Sequence, residues 1–365
     1  MKVDWVALTD YRSYPGLEWR PEPGVNLLLG PNGAGKTNLL EAIAFLASLR
    51  SFRSVPDTGL ISDEADVAVI RAGISSGDRE QLIEVELPRS GARRTQVNKT
   101  RLQRTADLLG VLRVIAFLPE DLDVVKRGPA NRRDLLDLVA VQLWPAAHVD
   151  QTEFERALRQ RNAFLKAGER DDATLSVWDA RLAQSGGRVM ARRLRVMELV
   201  SPLLDVAYAD IAGSAERASI DYHTSWGELL APDHSAPDLT AMVQTSLEQS
   251  RRVDYERRFT SVGPHRDEPT LLIDRADART HGSQGEQRTM ALAIKLAAHR
   301  AVAEMIGEPP VLLLDDVFSE LDPERARALA KALPPGAQTL ITSAHPEDVP
   351  VEGSVWRVGD GMVSR

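Results

Sequence analysis

Short apolar runs bounded by turn residues occupy the first third of the chain. VNLLLG (25–30), VAVIRAGI (67–74), QLIEVEL (81–87) and VLRVIAFL (111–118) are rich in Val, Ile and Leu and are closed by Gly, Pro or Asp, which predicts strands. From about residue 127 the spacing changes to three- and four-residue steps across 130–168 and 177–212. Leu135, Leu138, Val139 and Leu143 share one helix face, and Leu194, Met197, Leu199, Leu203 and Leu204 share another. Helical texture continues to about residue 255, with a polar, Pro-containing interruption at 226–238. VLLLDDV (311–317) and AQTLITSA (337–344) return to the texture of buried strands. The pattern predicts an α/β protein in which residues 1–126 and 259–365 form one strand-rich part around an inserted, mainly α-helical lobe, residues 127–258.

Composition narrows the class. The chain has 365 residues, 43% apolar and 27% charged, enough for a real core and more than one domain. Collagen, disordered chains and coiled-coil rods are excluded on these proportions. There is no Cys, so disulfides, thiolate metal sites and thiol nucleophiles are excluded. The N-terminal stretch MKVDWVALTDYRSY lacks a signal-peptide core, and no window approaches about 18 continuous apolar residues, so a cytoplasmic location is expected. The net charge of -8 does not suggest a strongly basic nucleic-acid binder, although local patches decide phosphate affinity.

The most specific chemistry is GPNGAGKTN (30–38), which fits G-x-x-x-x-G-K-[ST] completely between an apolar run and a helical pattern. Gly30, Pro31, Asn32, Gly33, Ala34 and Gly35 form the loop, and its glycines let backbone N–H groups turn inward around phosphate oxygens. Residues 30–38 as a whole, Asn38 included, are expected to bind ATP, with Lys36 on its β- and γ-phosphates and Thr37 on Mg²⁺. VLLLDDVFSELD (311–322) ends a buried strand in two carboxylates, at the edge where open α/β sheets bind ligands. Asp315 is read as a Mg²⁺ ligand through water and Asp316 as the group that polarises the attacking water. In SQGEQR (283–288), Ser283 and Glu286 form a capping box, so a helix is predicted to start there. Ser283, Gly285 and Glu286 at that helix start are the second candidate contact to a γ-phosphate.

Together GPNGAGKTN, SQGEQR and LLLDDVFSELD resemble the ABC-type ATPase head, in the order phosphate loop, signature, Walker B and D-loop. Ser319, Glu320, Leu321 and Asp322 resemble the D-loop, and His345 in TSAH suggests a switch histidine. LTDYRSYPGLEW, ASLRSFR, FLPEDLDVVKRGPANRRDLLD and SVGPHRDEP further resemble the RecF family of SMC-like ATPases, over residues 1 to about 345. The resemblance implies an SMC-like head with an inserted lobe, ATP-dependent dimerisation, DNA binding and slow hydrolysis. It also implies work with RecR and RecO to help RecA load at single-strand gaps, within the DNA-damage (SOS) response. Three positions depart from the ABC pattern or stay open. Many ABC ATPases use Glu where this chain has Asp316, one methylene shorter. FLPEDL offers Glu120 and Asp121 where a Q-loop Gln is usual. Arg53 has two readings, a cation for the phosphates and a solvated surface charge.

For DNA, the segment RSGARRTQVNKTRLQR (89–104) has six basic residues and no acid, and a hairpin turn is expected within it. Arg93, Arg94, Lys99 and Arg101 are the candidate backbone contacts, with Arg192 and Arg193 next in line. The insertion is not basic overall, with 18 basic and 20 acidic residues over 127–258. His265, Arg266 and Asp267 in VGPHRDEP suggest a structural role or a nucleotide contact rather than a zinc site. Two other functions share the ATPase motifs: the ATPase subunit of a membrane transporter, and a nucleotide-gated assembly module whose hydrolysis is incidental.

Overall fold

A computed structural model of the chain describes residues 1–168 and 170–365. Strands β1 (Lys2–Tyr11) and β2 (Tyr14–Trp19) form a hairpin, and β3 (Val25–Leu29) leads into helix α1 (Lys36–Ser48). Then follow β4 (Val67–Ser76), β5 (Arg79–Pro88), β6 (Arg94–Val97), β7 (Thr100–Arg101) and β8 (Val114–Phe117). Helices α2 (Asp123–Lys126), α3 (Pro129–Leu143), α4 (Ala147–Ala167) and α5 (Asp172–Ala212) precede β9 (Ala218–His223) and β10 (Leu229–Leu230). Helix α6 (Ala236–Arg257), strands β11 (Glu268–Ile273) and β12 (Ala276–Asp277), and helices α7 (Ala278–His281) and α8 (Gln284–Ile306) come next. The chain closes with β13 (Val311–Asp315), α9 (Pro323–Ala332), β14 (Thr339–Ser343), β15 (Ser354–Gly359) and β16 (Met362–Ser364).

Two compact units are distinguished. The first comprises Met1–Asp121, Asp210–Gly213 and Leu292–Arg365, and holds two six-stranded sheets. One is antiparallel, in the order β2-β1-β4-β5-β6-β7. The other runs β16-β15-β3-β14-β13-β8, with every pair parallel except β15 and β16. Its interior strands β13 (VLLLD) and β14 (TLITS) are buried at every position, as strands of a parallel sheet covered on both faces should be. Parallel pairing aligns Leu29 with Ser343 and Asp315 with Thr342, so the ends of β3, β13 and β14 form one carboxyl edge.

The second unit comprises Leu122–Ala209 and Ser214–Ala291. It is mainly helical and also carries an antiparallel sheet, β10-β9-β11-β12. Its bounds differ from the expected 127–258 lobe at the C-terminal side. β11 pairs with β9 from Glu268↔His223 to Ile273↔Ala218, which draws residues 259–291 into this unit rather than into the head. The alternating burial of ASIDYH, overlooked in the helical reading, is the local reason for β9. No described helix is long and apolar enough to cross a membrane.

Candidate functional site

The loop between β3 and α1 sits at the carboxyl edge and lines a cavity of about 270 Å³ with Asn32, Gly33, Gly35, Lys36, Thr37, Asn38, Arg53, Asp315, Asp316 and Thr342. Glycine is required twice here. Gly35 precedes α1 at φ 103°, and a Cβ there would stand 2.9 Å from both the Ser13 Oγ and the Tyr14 hydroxyl. At Gly30 a Cβ would fall 2.2 Å from the Val358 carbonyl oxygen, so the loop lies directly on β15. The Tyr14 hydroxyl donates to the Gly35 carbonyl at 3.1 Å and braces the turn from below.

Lys36 is buried, and its ammonium donates to the carbonyls of Gly30 (2.6 Å) and Pro31 (3.0 Å). Burial lowers its pKa from the ordinary value, and the carboxylates of Asp316 and Asp315 pull it partly back. Its partners are neutral carbonyls of its own loop, which an incoming phosphate can replace with a charge-assisted bond.

Asp315 is the acceptor at the centre of the site. The Thr37 hydroxyl donates to its Oδ1 at 2.9 Å and the Thr342 hydroxyl to the same oxygen at 2.7 Å. Burial raises its pKa, against the two hydroxyls and the Arg53 charge. Asp316 takes a left-handed backbone, φ 50°, which short polar side chains tolerate best among non-glycine residues. Its N–H is held by the Thr342 hydroxyl (2.9 Å) and carbonyl (3.2 Å). Its Oδ1 is buried without a hydrogen-bond partner. A buried carboxylate oxygen left unmade is costly in a finished core and is expected where water or a ligand completes the site.

Thr342 was not among the residues picked from sequence. The available signal was its place at the end of a third apolar strand, in the same TSAH segment that contains His345. The His345 side chain itself is solvated, with Glu347 as its nearest carboxylate at 3.8 Å. Asp121 is committed elsewhere: it accepts from the Leu118 N–H at 2.7 Å and pairs with Lys295 at 2.7 Å. Arg53 does line the cavity, donating to the Asn38 side-chain oxygen at 3.0 Å, and no carboxylate among the described residues is within ion-pair distance of it. In the D-loop segment, the Ser319 hydroxyl donates to the Asp316 carbonyl at 2.8 Å, and Asp322 caps α9 through the N–H groups of Glu324 and Arg325.

The pieces around the cavity also fit a small divalent cation. Thr37 and Asp315 supply hard oxygen donors at one point. Among the described residues no cluster of three or more His, Cys, Asp or Glu is present, so the remaining ligands of a Mg²⁺ ion would be phosphate oxygens and water, its usual mode.

The signature residues belong to the second unit. Ser283 and Glu286 make the reciprocal bonds of a capping box, Ser283 N–H to Glu286 Oε2 (2.7 Å) and Glu286 N–H to Ser283 Oγ (3.3 Å). Gly285 falls in the first turn of α8, and Gln287 braces the preceding bend by donating to the carbonyls of Ala278, Arg279 and Gly282.

The basic segment folds as predicted into a two-residue hairpin, with Asn98 and Lys99 both in the left-handed region between β6 and β7. The structure divides its charges. Arg93 pairs with Asp57 (2.7 Å), donates to the Leu49 carbonyl and lies 5.2 Å from the Phe45 ring, so it is a packing residue rather than a free DNA contact. Arg94 is exposed and pairs with Glu86 at 3.3 Å. Lys99 and Arg101 are exposed and have no ion-pair partner among the described residues. The next candidates are also committed: Arg193 is buried on Asp137, Tyr222 and the Pro264 carbonyl, and Arg192, half-buried, pairs with Asp150 at 3.4 Å. His265 is packed beside Phe154 in the second unit, and burial lowers its pKa to about 4.

Residues 2–358 match the family described as RecF/RecN/SMC N terminal domain. The chain is 38% identical over 378 residues to the DNA replication and repair protein RecF of Streptomyces avermitilis and 39% identical over 378 residues to that of Frankia alni, covering 100% of both chains in each case. It is similar to a solved structure of the recombination mediator protein RecF-ATPrS in the RecFOR pathway, with 32% identity and a TM-score of 0.91 over 100% of this chain and 97% of that one. The RecF-ATP structure matches at 32% identity and a TM-score of 0.87, over 100% and 98%. An Smc head bound to the C-winged helix domain of ScpA shares the fold at 16% identity and a TM-score of 0.59, over 100% and 96%.

Proposed function

The chain belongs to the RecF family of DNA replication and repair proteins, within the wider RecF/RecN/SMC group, and on that footing we propose that it is an ATP-dependent DNA-binding ATPase of recombinational repair and replication restart. The observation that carries this reading is the convergence of Lys36, Thr37 and Arg53 with Asp315, Asp316 and Thr342 around one cavity, from segments nearly the whole chain apart.

In this reading the loop N–H groups and Lys36 bind the β- and γ-phosphates of ATP. Mg²⁺, held through Thr37 and Asp315, neutralises phosphate charge when bound. The unpartnered Asp316 oxygen accepts a hydrogen bond from the attacking water, whose oxygen bonds to the γ-phosphorus as the bond to the ADP oxygen breaks. Arg53 stabilises the charge that develops on the transferred group. Each chain supplies one phosphate loop and one signature helix. A C2 pair places Ser283, Gly285 and Glu286 of each copy on the other's nucleotide, so ATP holds the dimer together and ADP does not. The paired molecule acts as a clamp or matchmaker on duplex or gapped DNA, with RecR and RecO, to help RecA load. Slow hydrolysis resets it.

Sedimentation and turnover together test the reading. Asp316→Asn is expected to keep ATP binding, slow hydrolysis by about a hundredfold and prolong the ATP-bound dimer. Ser283→Arg is expected to keep monomer ATP binding and lose both dimer and turnover. A wild type that stays monomeric with ATP at high concentration, or an Asp316→Asn variant with unchanged turnover, rejects it.

A further inference from the structure

Around Arg53 the side chains close a ring drawn from three segments. Arg12, at the tip of the β1–β2 hairpin, donates Nε and Nη2 to the two oxygens of Glu41 in α1, at 2.9 and 3.0 Å. The Ser51 hydroxyl donates to Glu41 Oε1 at 2.5 Å. The same Ser51 oxygen accepts the backbone N–H of Arg53 at 3.0 Å. The Arg53 guanidinium donates to Asn38 Oδ1 (3.0 Å), and the Asn38 amide donates to Ser13 Oγ (2.9 Å), back beside Arg12. Glu41 is fully buried, and burial of a carboxylate is tolerated only when it is paired and hydrogen-bonded.

The backbone is shaped to meet this ring. Arg12 (φ 52°), Leu49 (φ 58°) and Ser54 (φ 57°) all take the left-handed region, each at a cost of about 1–2 kcal/mol that the surroundings must offset. The segment 49–54 contains no helix or strand, so nothing in a regular backbone ladder holds it. Its start is held by the Leu49 N–H on the Phe45 carbonyl and by Arg93 on the Leu49 carbonyl, and the part that carries Arg53 is fixed by Ser51 on Glu41 and Arg53 on Asn38.

We infer that Glu41 and Ser51 are positioning residues for Arg53: they hold its segment so that the guanidinium stands over the phosphate cavity when the transferred group develops charge. The inference deepens the ATPase reading and rests on it. The reason for such a device is geometric. A long, flexible side chain on an irregular segment is a poor electrostatic catalyst unless its backbone is locked, because preorganisation supplies most of the benefit. Glu41 is fully buried and does not line the cavity, so its path to the phosphates runs through Ser51 and Arg53.

The test compares Ser51→Ala, Glu41→Gln, Arg53→Ala and the double variant Ser51→Ala/Arg53→Ala, for ATP turnover, equilibrium ATP binding and amide exchange without nucleotide. Ser51→Ala leaves the Arg12–Glu41 pair intact, so it folds even if Glu41→Gln does not. Ser51→Ala is expected to lower kcat about tenfold with KM and ATP affinity within about twofold. It is also expected to speed exchange of the 51–54 amides, and to add nothing further in the Arg53→Ala background. A Ser51→Ala effect that adds fully to Arg53→Ala, or one that appears in KM alone, overturns the inference. The two possible failures are separable in the same samples. A wild type with no turnover removes the ATPase reading. A Ser51→Ala variant whose 51–54 amides exchange as slowly as wild type removes the ring, with or without turnover.

Discussion

Cations that hold the scaffold together and cations that line the phosphate cavity are treated in opposite ways. In the second unit Arg161 is fully buried, held by Asp179 (2.7 Å), Asp254 (2.7 Å) and the Thr260 hydroxyl (2.9 Å), which ties α4 to α5 and α6. Arg193 is spent in the same way on Asp137 at 2.7 Å. Lys36, buried, and Arg53, exposed beside the cavity, have no acid at ion-pair distance among the described residues and rest on carbonyl or amide oxygens. A guanidinium matched by carboxylates is structure, because its charge has nowhere better to go. A cation held by neutral oxygens keeps most of its charge for a ligand. The contrast separates scaffold from site more sharply than burial, since Lys36 is as buried as many core residues.

The largest effect should come from removing one member of the matched set. Arg161→Ala leaves the buried Asp254 without its cation and Asp179 with Arg251 alone, and is expected to destabilise the second unit by about 3–5 kcal/mol, read as a shift in denaturant midpoint. Lys36→Met should do the reverse. Its unfolding midpoint should stay near wild type, while ATP binding falls about tenfold or more, the worth of a charge-assisted bond. If Arg161→Ala is neutral, or Lys36→Met unfolds the protein, the division fails.

A buried polar group without charge should behave as scaffold too. His299 is fully buried on the Pro310 carbonyl, and burial lowers its pKa from 6.5 to about 4. Between these values the unfolded chain binds more protons than the folded one. Its contribution is therefore complete above about pH 6.5 and is lost as pH falls towards 4, up to about 3 kcal/mol. Urea unfolding at stepped pH should show this loss, and His299→Gln should flatten it. An unchanged pH profile in the variant would assign the acid sensitivity to other groups.

The smallest effects divide the basic hairpin. Arg93→Ala is expected to cost about 1–2 kcal/mol of stability and to leave the salt dependence of DNA binding alone. Lys99→Ala with Arg101→Ala should leave stability unchanged and reduce the log–log salt slope by about 0.9 for each lost phosphate contact. A slope that follows Arg93 instead would return that residue to the interface.

What the sequence made legible was whatever is written in contiguous residues. The phosphate loop, the paired Asp315 and Asp316 and the capping box at Ser283 each depend on neighbours a few positions away, and their local patterns survive folding. Pairings across the chain were hidden. Nothing near Thr342 in sequence announces that its hydroxyl will link Asp315 to the Asp316 backbone, because that depends on the register of β13 with β14. Likewise Arg93 read as a free cation in an acid-free run, since Asp57, its partner, lies 36 residues away. Residues 259–291 were assigned to the head because β9, the strand that captures them, is only six residues long and sits within a helical stretch.

The contact of Gly30 with the Val358 carbonyl has a bearing on how the protein is made. β3 is made well before both of its neighbours, β14 and β15, which follow it by about 310 residues or more. At ordinary elongation rates of roughly 5–20 residues per second, an apolar strand waits about 15–60 s for partners. The phosphate loop has no floor during that time. The first unit can therefore close only once β14 and β15 have been made, and until then the apolar VNLLL segment needs shielding on the nascent chain.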